Sequence, residues 1–201
     1  MSRGVVFVVS GPSGVGKGTL LNALIEKSNG QITYSVSATT RECRDGETEG
    51  VNYFYKTNEE FDELIKIGDV LEYDTYAGNR YGTLKSVLME SINIGQSIAL
   101  DITVPGAMAL KKSLKDDVVT VFIMPPSVEV LRQRLTDRNR EDLDEIERRI
   151  AFAIESELSK YHEYDYVVIN NDLESAVEDL ENILKAEFLK VNRNPDLLDK
   201  V

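Results

Sequence analysis

The sequence predicts an α/β domain with a mainly parallel sheet, and three observations lead to this prediction. An apolar, β-branched run at residues 5–10 is followed at once by glycines and then by a helical pattern. Further apolar runs occur at residues 98–102, 118–124 and 166–169. Segments of helical periodicity separate these runs. Alternation of strands and helices is typical of a parallel sheet covered by helices on both faces.

The first strand and the first helix are separated by a glycine-rich loop. The strand ends at Gly11, and the helix begins after Gly16. Its apolar face consists of Leu20, Leu21, Leu24 and Ile25. A second helix is predicted from cap chemistry, because Thr57 and Glu60 form a capping box and Gly68 is suited to end the helix.

Four more helices are predicted, at about 104–114, 127–135, 143–160 and 173–189. Asp142 and Glu145 resemble a second capping box at the start of the third of these. The predicted core face of that helix is Ile146, Ile150, Ile154 and Leu158. The last helix is expected to bury Leu173, Val177, Leu180, Leu184 and Phe188. Residues 192–201 are polar and interrupted by proline, so we expect them to fray.

Composition limits the classes of partner. The 201 residues fit one domain, and 23 Lys and Arg against 35 Asp and Glu give a net charge of −12. Such a surface repels nucleic-acid polymers and anionic membranes, so anionic ligands must meet local basic clusters. The apolar run at 5–9 is too short for a signal peptide or a membrane span, and we expect a cytoplasmic protein. Cys43 and His162 are single residues of their types, which excludes an intrachain disulfide and disfavours a structural zinc site.

The loop between the first strand and the first helix has the spacing of a phosphate-binding loop. In Gly11-Pro-Ser-Gly-Val-Gly-Lys17, backbone N–H groups and the helix N-terminus can surround a phosphate, and Lys17 can reach its oxygens. A glycine-rich turn without a nucleotide is the alternative, but the strand and helix on either side favour a nucleoside triphosphate. The strict motif has Ser or Thr after the lysine, whereas here Gly18 precedes Thr19. The role of the Thr19 hydroxyl toward Mg²⁺ therefore stays open.

Two stretches do not follow the alternation and are predicted to be mobile segments that face a substrate: 38–56 and 136–142. Residues 35–44 read Ser-Val-Ser-Ala-Thr-Thr-Arg-Glu-Cys-Arg, and residues 46–54 read Gly-Glu-Thr-Glu-Gly-Val-Asn-Tyr-Phe. Together with the phosphate loop and with the segments at 71–73, 78–83 and 164–170, these motifs closely resemble the guanylate kinases. The resemblance extends over residues 4–188.

This resemblance implies a P-loop nucleoside monophosphate kinase core. The core would comprise residues 4–34 and 96–188, with a GMP-binding insertion at 35–95, a lid at 136–148 and a C-terminal tail at 189–201. The implied activity is transfer of the γ-phosphoryl group of ATP to GMP and dGMP, with Mg²⁺, in purine nucleotide metabolism. The implied ATP-binding residues are Gly11, Pro12, Ser13, Gly14, Val15, Gly16, Lys17, Gly18, Thr19 and Asn170. Asn170 at a strand end is equally suited to a turn or a cap.

The dianionic phosphate of GMP requires a cationic clamp, and arginine forks suit pairs of oxygens. By resemblance, Arg41, Arg44, Tyr53 and Tyr81 hold this phosphate, although each alone could be an ordinary surface or core residue. Guanine presents N1–H and N2–H donors beside the O6 acceptor. The resemblance also implies that Ser37, Glu72, Gly82, Thr83, Asp101 and Thr103 bind GMP, with Glu72 as the carboxylate that reads guanine and Ser37 and Thr83 as the hydroxyls beside it.

The segment Leu100-Asp-Ile-Thr-Val-Pro-Gly-Ala107 departs from the family pattern. Thr103 stands where the family usually has an aspartate, and Pro105 stands where it has a glutamine. Recognition of guanine N2 thus loses one expected carboxylate. Asp101 matches the pattern, and either it orients Mg²⁺ and its waters or it helps to place Lys17 and the base.

Phosphoryl transfer depends on positive groups that converge on the moving phosphate. By resemblance, Lys17, Arg138, Arg149 and Arg134 supply them as catalytic residues. The lid reads Arg138-Asn-Arg140 where the family commonly has Arg-Gly-Thr, and the alternative is a solvated charged helix face. Two other functions stay open: a non-catalytic interaction module of the same fold, and a kinase for another nucleoside monophosphate. The sequence does not indicate the oligomeric state.

Overall fold

The computed structural model describes residues 3–137 and 143–194, and these form two sheets. The strands and helices in chain order are β1 (Val6–Ser10), α1 (Lys17–Lys27), β2 (Ile32–Tyr34), β3 (Ala38–Thr39), β4 (Phe54–Tyr55), α2 (Asn58–Lys66), β5 (Val70–Tyr76), β6 (Asn79–Leu84), α3 (Lys85–Asn93), β7 (Ser97–Asp101), α4 (Val104–Leu114), β8 (Val118–Met124), α5 (Val128–Asp137), α6 (Leu143–Phe152), β9 (Tyr166–Ile169) and α7 (Leu173–Phe188). The predicted alternation of strands and helices is confirmed.

The larger sheet is parallel throughout, with the strand order β2-β7-β1-β8-β9. All five residues of the central strand β1 are buried, because helices cover both faces of the sheet. Val5, Phe7 and Val9 pack against α1 and α7, whereas Val6 and Val8 pack against α3 and α4. The carboxyl ends of β1 and β7 meet at one edge, which places the glycine loop beside the end of β7.

The smaller sheet is mixed, with the strand order β4-β3-β6-β5. Strands β5 and β6 form a hairpin whose two turn residues, Ala77 and Gly78, have φ values of 48° and 79°. Positive φ at both positions is the signature of a type I′ turn, whose twist matches that of paired strands. Helix α2 packs on this sheet through the fully buried Phe61. Its predicted capping box of Thr57 and Glu60 is confirmed.

The helix predicted over residues 143–160 is wrong as a single α-helix. Helix α6 ends at Phe152, residues 153–157 form a π-helical turn, and residues 158–163 form a 3₁₀ helix. Ala153, at which the wider turn begins, is buried and Ile154 is 47% exposed, contrary to the predicted core face. Ile146 and Ile150 precede the turn and are buried as predicted.

Two expectations near the C-terminus are also wrong. Leu173, the first residue of α7, is 45% exposed. Residues 191–193 form a 3₁₀ turn rather than fraying. Arg193 is 2% exposed, and its guanidinium donates to the carbonyl oxygens of Gly4 and Asp116 and contacts the buried Glu187 carboxylate. The rest of the predicted frayed segment, 195–201, lies outside the described residues.

None of the helices within 3–137 and 143–194 has both the length and the apolar composition needed to cross a bilayer.

Candidate active site

The glycine loop after β1 requires glycine for conformational and steric reasons. Gly16 has a φ of 101° and precedes the first residue of α1, and a Cβ there would lie 2.6 Å from Asn170 Nδ2. A Cβ on Gly11 would lie 2.4 Å from the carbonyl oxygen of Ile123. The loop therefore wraps tightly over the ends of the central strands, with the N-terminus of α1 at its end.

Lys17 is the first residue of α1 and is held at the inner side of the loop. Its Nζ donates to the carbonyl oxygens of Gly11 at 2.8 Å and Pro12 at 3.2 Å. The same atom lies 3.9 Å from Asp101 Oδ1, at the carboxyl end of β7. Burial raises the pKa of Asp101, and the Lys17 charge partly opposes this shift. The ammonium and the carboxylate therefore face each other across the start of a cavity.

That cavity, which we call the acceptor cavity, has a volume of about 360 Å³ and joins the loop to the smaller sheet. It is lined by Gly11, Ser13, Lys17, Ser37, Glu72, Asp74, Tyr81, Gly82, Asp101, Ile102, Thr103 and Glu157. Six of the residues that the sequence assigned to GMP thus lie in one cavity with Lys17. The remaining four are not among its lining residues: Arg41, Arg44, Tyr53 and Thr83.

A second cavity, of about 310 Å³, lies on the other side of the loop. Its lining residues are Gly14, Gly16, Thr19, Arg134, Asp137, Asn170 and Leu173. Thr19 and Asp101, the two side chains considered for Mg²⁺, therefore line different cavities. The loop forms a wall between two binding spaces.

A β-bulge directs Glu72 into the acceptor cavity. The register between β5 and β6 shifts between Val70 and Glu72, so that Glu72 faces Thr83 across the strands. The Thr83 hydroxyl donates to Glu72 Oε1 at 2.6 Å. Burial raises the pKa of Glu72, and this hydrogen bond partly opposes the shift. The Thr83 hydroxyl thus holds Oε1 of Glu72. The other oxygen, Oε2, lies next to Gly106, and a Cβ on that glycine would be 3.0 Å from it.

Thr103 caps helix α4 at this point. Its Oγ1 accepts a hydrogen bond from the N–H of Gly106 at 3.3 Å, and Pro105 occupies the first turn, where a missing N–H costs nothing. Threonine and aspartate both serve as N-caps, and this explains how the helix start accommodates the departures from the family pattern. The N-terminus of α4 also brings positive potential toward the carboxylate of Glu72.

Arg41 is positioned by a carboxylate that we did not identify from the sequence. Glu47 receives both guanidinium NH₂ groups of Arg41, at 2.8 and 3.0 Å, together with the Tyr55 hydroxyl at 2.8 Å and the Arg44 N–H at 2.9 Å. The hydrogen bonds from Arg41 are the largest cause that lowers the pKa of Glu47, to about 2. The sequence does place an acid six residues after Arg41, and this spacing was the signal from which the contact could have been predicted.

The face of Arg41 lies over the ring of Tyr53, 5.3 Å from its centre, and Tyr53 contacts the ring of Tyr81 at 5.8 Å. Tyr81 lines the acceptor cavity, so Arg41 and Tyr53 stand directly behind that wall. The side chain of Arg44 is exposed, and its backbone joins the group: its N–H donates to the Glu47 carboxylate, and its carbonyl oxygen accepts from the Glu47 N–H.

Two arginines of the predicted catalytic set contact the loop. Arg134 on α5 donates to the carbonyl oxygens of Val15 at 3.3 Å and Asn170 at 2.9 Å. The Asn170 amide in turn donates to Val15 O at 2.8 Å, so this asparagine supports the loop. Arg149 on α6 donates to the Ser13 hydroxyl at 3.2 Å. Arg138 lies outside the described residues, as does most of the first half of the predicted lid, 138–142.

A parallel five-stranded sheet, a glycine loop at its carboxyl edge and a binding space on each side of that loop define a P-loop nucleoside monophosphate kinase core. The guanylate kinase family profile matches residues 3–187. A guanylate kinase of Wolbachia pipientis is 45% identical over 199 residues, covering 98% of each chain. One of Oceanobacillus iheyensis is 42% identical over 191 residues, which are 95% of this chain and 91% of that protein.

The crystal structure of guanylate kinase from Anaplasma phagocytophilum has the same fold. It superposes with a TM-score of 0.68 at 36% identity and covers 96% of this chain and 90% of that one. The chain belongs to the guanylate kinase family and is a phosphotransferase of that family.

Proposed function

We propose that the chain transfers the γ-phosphoryl group of ATP to GMP, giving ADP and GDP, and that it also accepts dGMP. The observation that carries this proposal is one cavity with Lys17 and the phosphate loop at one end and the buried Glu72 carboxylate at the other. Chromatographic detection of GDP from ATP and GMP tests it. GDP should form only when enzyme and both nucleotides are present, and its absence would refute the assignment.

We place ATP with its phosphates on the loop and its adenosine in the cavity that Arg134, Asn170 and Leu173 line. The side-chain Nδ2 of Asn170 donates to the loop, which leaves the side-chain oxygen, Oδ1, as the acceptor available to adenine. Leu173, exposed contrary to expectation, offers an apolar surface at the same cavity. Its exposure therefore supports a binding role at the start of α7.

The residues present are suited to Mg²⁺ held chiefly by the nucleotide. No cluster of three potential ligands occurs within residues 3–137 and 143–194, but the Asp101 carboxylate lines the acceptor cavity next to Lys17. Mg²⁺ in kinase sites commonly takes one or two carboxylates, phosphates and waters. Asp101 is the side chain that would hold the ion or its waters, and the ion supplies neutralisation of phosphate charge.

The chain contributes positioning and positive charge to the reaction. A GMP phosphate oxygen bonds to the γ-phosphorus as the bond to the β-bridging oxygen breaks, so no covalent enzyme intermediate is needed. Lys17 exchanges its carbonyl contacts for phosphate oxygens, and Arg149 approaches from α6 next to Ser13. We propose that Arg138 and Arg134 also stabilise the negative charge of the transferred phosphate. The 136–148 segment would close over the site and exclude water.

Arg41 is the residue on which binding of the GMP phosphate depends in this proposal. Two of its N–H groups bind Glu47, which fixes the plane of the guanidinium with its remaining edge toward Tyr81. We expect Arg41→Lys to raise the KM for GMP roughly tenfold, because lysine lacks the fork that Glu47 and a phosphate can share. The Kd for ATP should stay within about twofold. Steady-state kinetics and calorimetry with each nucleotide measure the two effects.

Arg80→Lys is the matched control. Arg80 lies in the same sheet, but its side chain binds Asp62 and Asn58 and does not belong to the group around Arg41 and Glu47. It should leave the KM for GMP unchanged. Equal weakening of ATP and GMP binding in Arg41→Lys would contradict the clamp.

Thr103 sets how strongly guanine is distinguished from hypoxanthine. IMP lacks the N2 amine, and the Thr103 hydroxyl, already bonded to Gly106, is a weaker acceptor than a carboxylate. We expect Thr103→Asp to widen the ratio of kcat/KM for GMP over IMP by roughly tenfold, which is about 1.4 kcal/mol. Both acids and hydroxyls cap helices, so its free energy of unfolding should stay close to that of the wild type, whereas Thr103→Ala should lose about 1 kcal/mol. An unchanged GMP to IMP ratio in a stably folded Thr103→Asp would show that Thr103 does not face N2.

A further inference from the structure

Four carboxylates line the acceptor cavity, and three of them have partners. Glu72 receives the Thr83 hydroxyl at 2.6 Å, Asp74 accepts the Thr75 N–H at 2.7 Å, and Asp101 lies 3.9 Å from the Lys17 ammonium. The fourth is the partly buried Glu157, whose carboxylate forms no hydrogen bond or ion pair with residues 3–137 and 143–194. Placing an acid in such a position costs free energy unless a ligand supplies a donor.

The π-helical turn at 153–157 brings Glu157 to the cavity. Ala153 at the start of the turn is buried in the core, and the wider turn places Glu157 on the opposite side from its exposed neighbour Glu155. Turns of this kind are rare and recur at functional sites. The turn also shapes a larger cavity of about 740 Å³ behind β5, to which Glu157, Glu72 and Thr103 all contribute.

Glu157 lines the acceptor cavity together with residues from both of its ends. The charge of Lys17, at the phosphate end, acts on it and opposes the rise in its pKa that burial causes. Glu72 and Thr103, at the base end, share both cavities with it. The part of a nucleoside monophosphate that lies between phosphate and base is the ribose, whose two neighbouring hydroxyls are donors that one carboxylate can accept together.

We propose that the Glu157 carboxylate accepts hydrogen bonds from the ribose hydroxyls of the acceptor nucleotide, so that the enzyme favours GMP over dGMP. This inference rests on the proposed function and specifies how the same site treats the sugar. It assigns a specificity role to a residue outside the motifs on which the family resemblance was based. Removal of the 2′-hydroxyl leaves the carboxylate with one donor instead of two.

Glu157→Gln tests the proposal with the cavity volume preserved. We expect the ratio of kcat/KM for GMP over dGMP, at least about tenfold in the wild type, to fall to within about threefold, because the charge-assisted hydrogen bond is weakened. The loss should appear mainly as a raised KM for GMP, with a smaller rise for dGMP, which keeps the 3′-hydroxyl as a donor. Glu155→Gln, an exposed position on the same turn, is the matched control and should behave as the wild type.

Calorimetric ATP binding by Glu157→Gln should match the wild type, which separates a loss of ribose contacts from a loss of folding. Equal losses of activity with GMP and dGMP would overturn the proposal. A fall in the GMP to IMP ratio with an unchanged GMP to dGMP ratio would also overturn it, since Glu157 would then face the base. Failure of the wild type to phosphorylate GMP would instead refute the proposed function.

Discussion

Lys17→Ala should lower kcat at least ~10²-fold, the scale on which a group that stabilises transition-state charge contributes. Its ammonium lies at the junction of the phosphate loop and the acceptor cavity, where the transferred phosphate must pass. Folding should be preserved, because the loop owes its shape to Gly11, Gly16 and the Asn170 amide rather than to the lysine side chain. Single-turnover kinetics with saturating ATP and GMP measure the effect on the chemical step.

Lys27→Ala provides the matched control for this experiment. Lys27 ends the same helix, is about half exposed and pairs with Glu181 far from the loop. It should retain the wild-type kcat. A Lys17→Ala enzyme within threefold of the wild type would contradict the catalytic role of this residue.

Glu72→Gln should reduce the ratio of kcat/KM for GMP over AMP by at least ~10². The carboxylate accepts N1–H and N2–H of guanine, but it places an acceptor against the N1 lone pair of adenine and leaves buried groups unpaired. An amide can donate to adenine N1, which a carboxylate cannot do. The Thr83 hydroxyl can still donate to the amide oxygen, so the side chain should keep its place.

Asp74→Gln, two residues further along β5, is the control for Glu72→Gln. Asp74 lines the same cavity, but its side chain is bonded to its own strand through the Thr75 N–H. The GMP to AMP ratio should not change in this variant. A Glu72→Gln enzyme that still rejects AMP as strongly as the wild type would show that another residue reads the base.

The parallel core was predictable from the sequence because local signals and burial agree there. The run at residues 5–10 is apolar without alternation, which is what a strand buried on both faces requires, and the structure buries it on both faces. The capping box at Thr57 and the cap position of Gly68 depend on neighbouring residues alone, and these predictions are confirmed. The phosphate loop was predictable for the same reason, since its glycines and lysine are consecutive.

The features that were missed depend on contacts between distant segments. The residues of β5, and those of β6 up to Tyr81, are exposed or half-buried. The pairing of the two strands is set by a two-residue turn with Ala77 at positive φ, which composition does not favour. The π-helical turn breaks a four-residue period that pointed to Ile154 as core. Periodicity cannot reveal where a helix changes its own period.

In the site, too, the residues within continuous motifs were predictable, whereas those whose role depends on distant contacts were missed. The resemblance placed Glu72, Tyr81 and Asp101 among the acceptor residues, and the structure brings them into one cavity with Lys17. Glu47 was missed because its role is to hold Arg41, which the spacing of the two residues does not specify. Glu157 was missed because a carboxylate in a charged helix normally indicates a solvated face. Their roles, like those of the other site residues, stay predictions that the variants above test.

The central claim is that the acceptor cavity reads guanine, and the most direct test is a coupled ADP-formation assay of the wild type with GMP, dGMP, IMP, AMP and UMP. We expect kcat/KM for GMP to exceed that for AMP by ~10⁴ or more, with IMP rejected less strongly than AMP. Use of AMP or UMP as efficiently as GMP would contradict the assignment of Glu72 to the guanine edge and the proposed function with it.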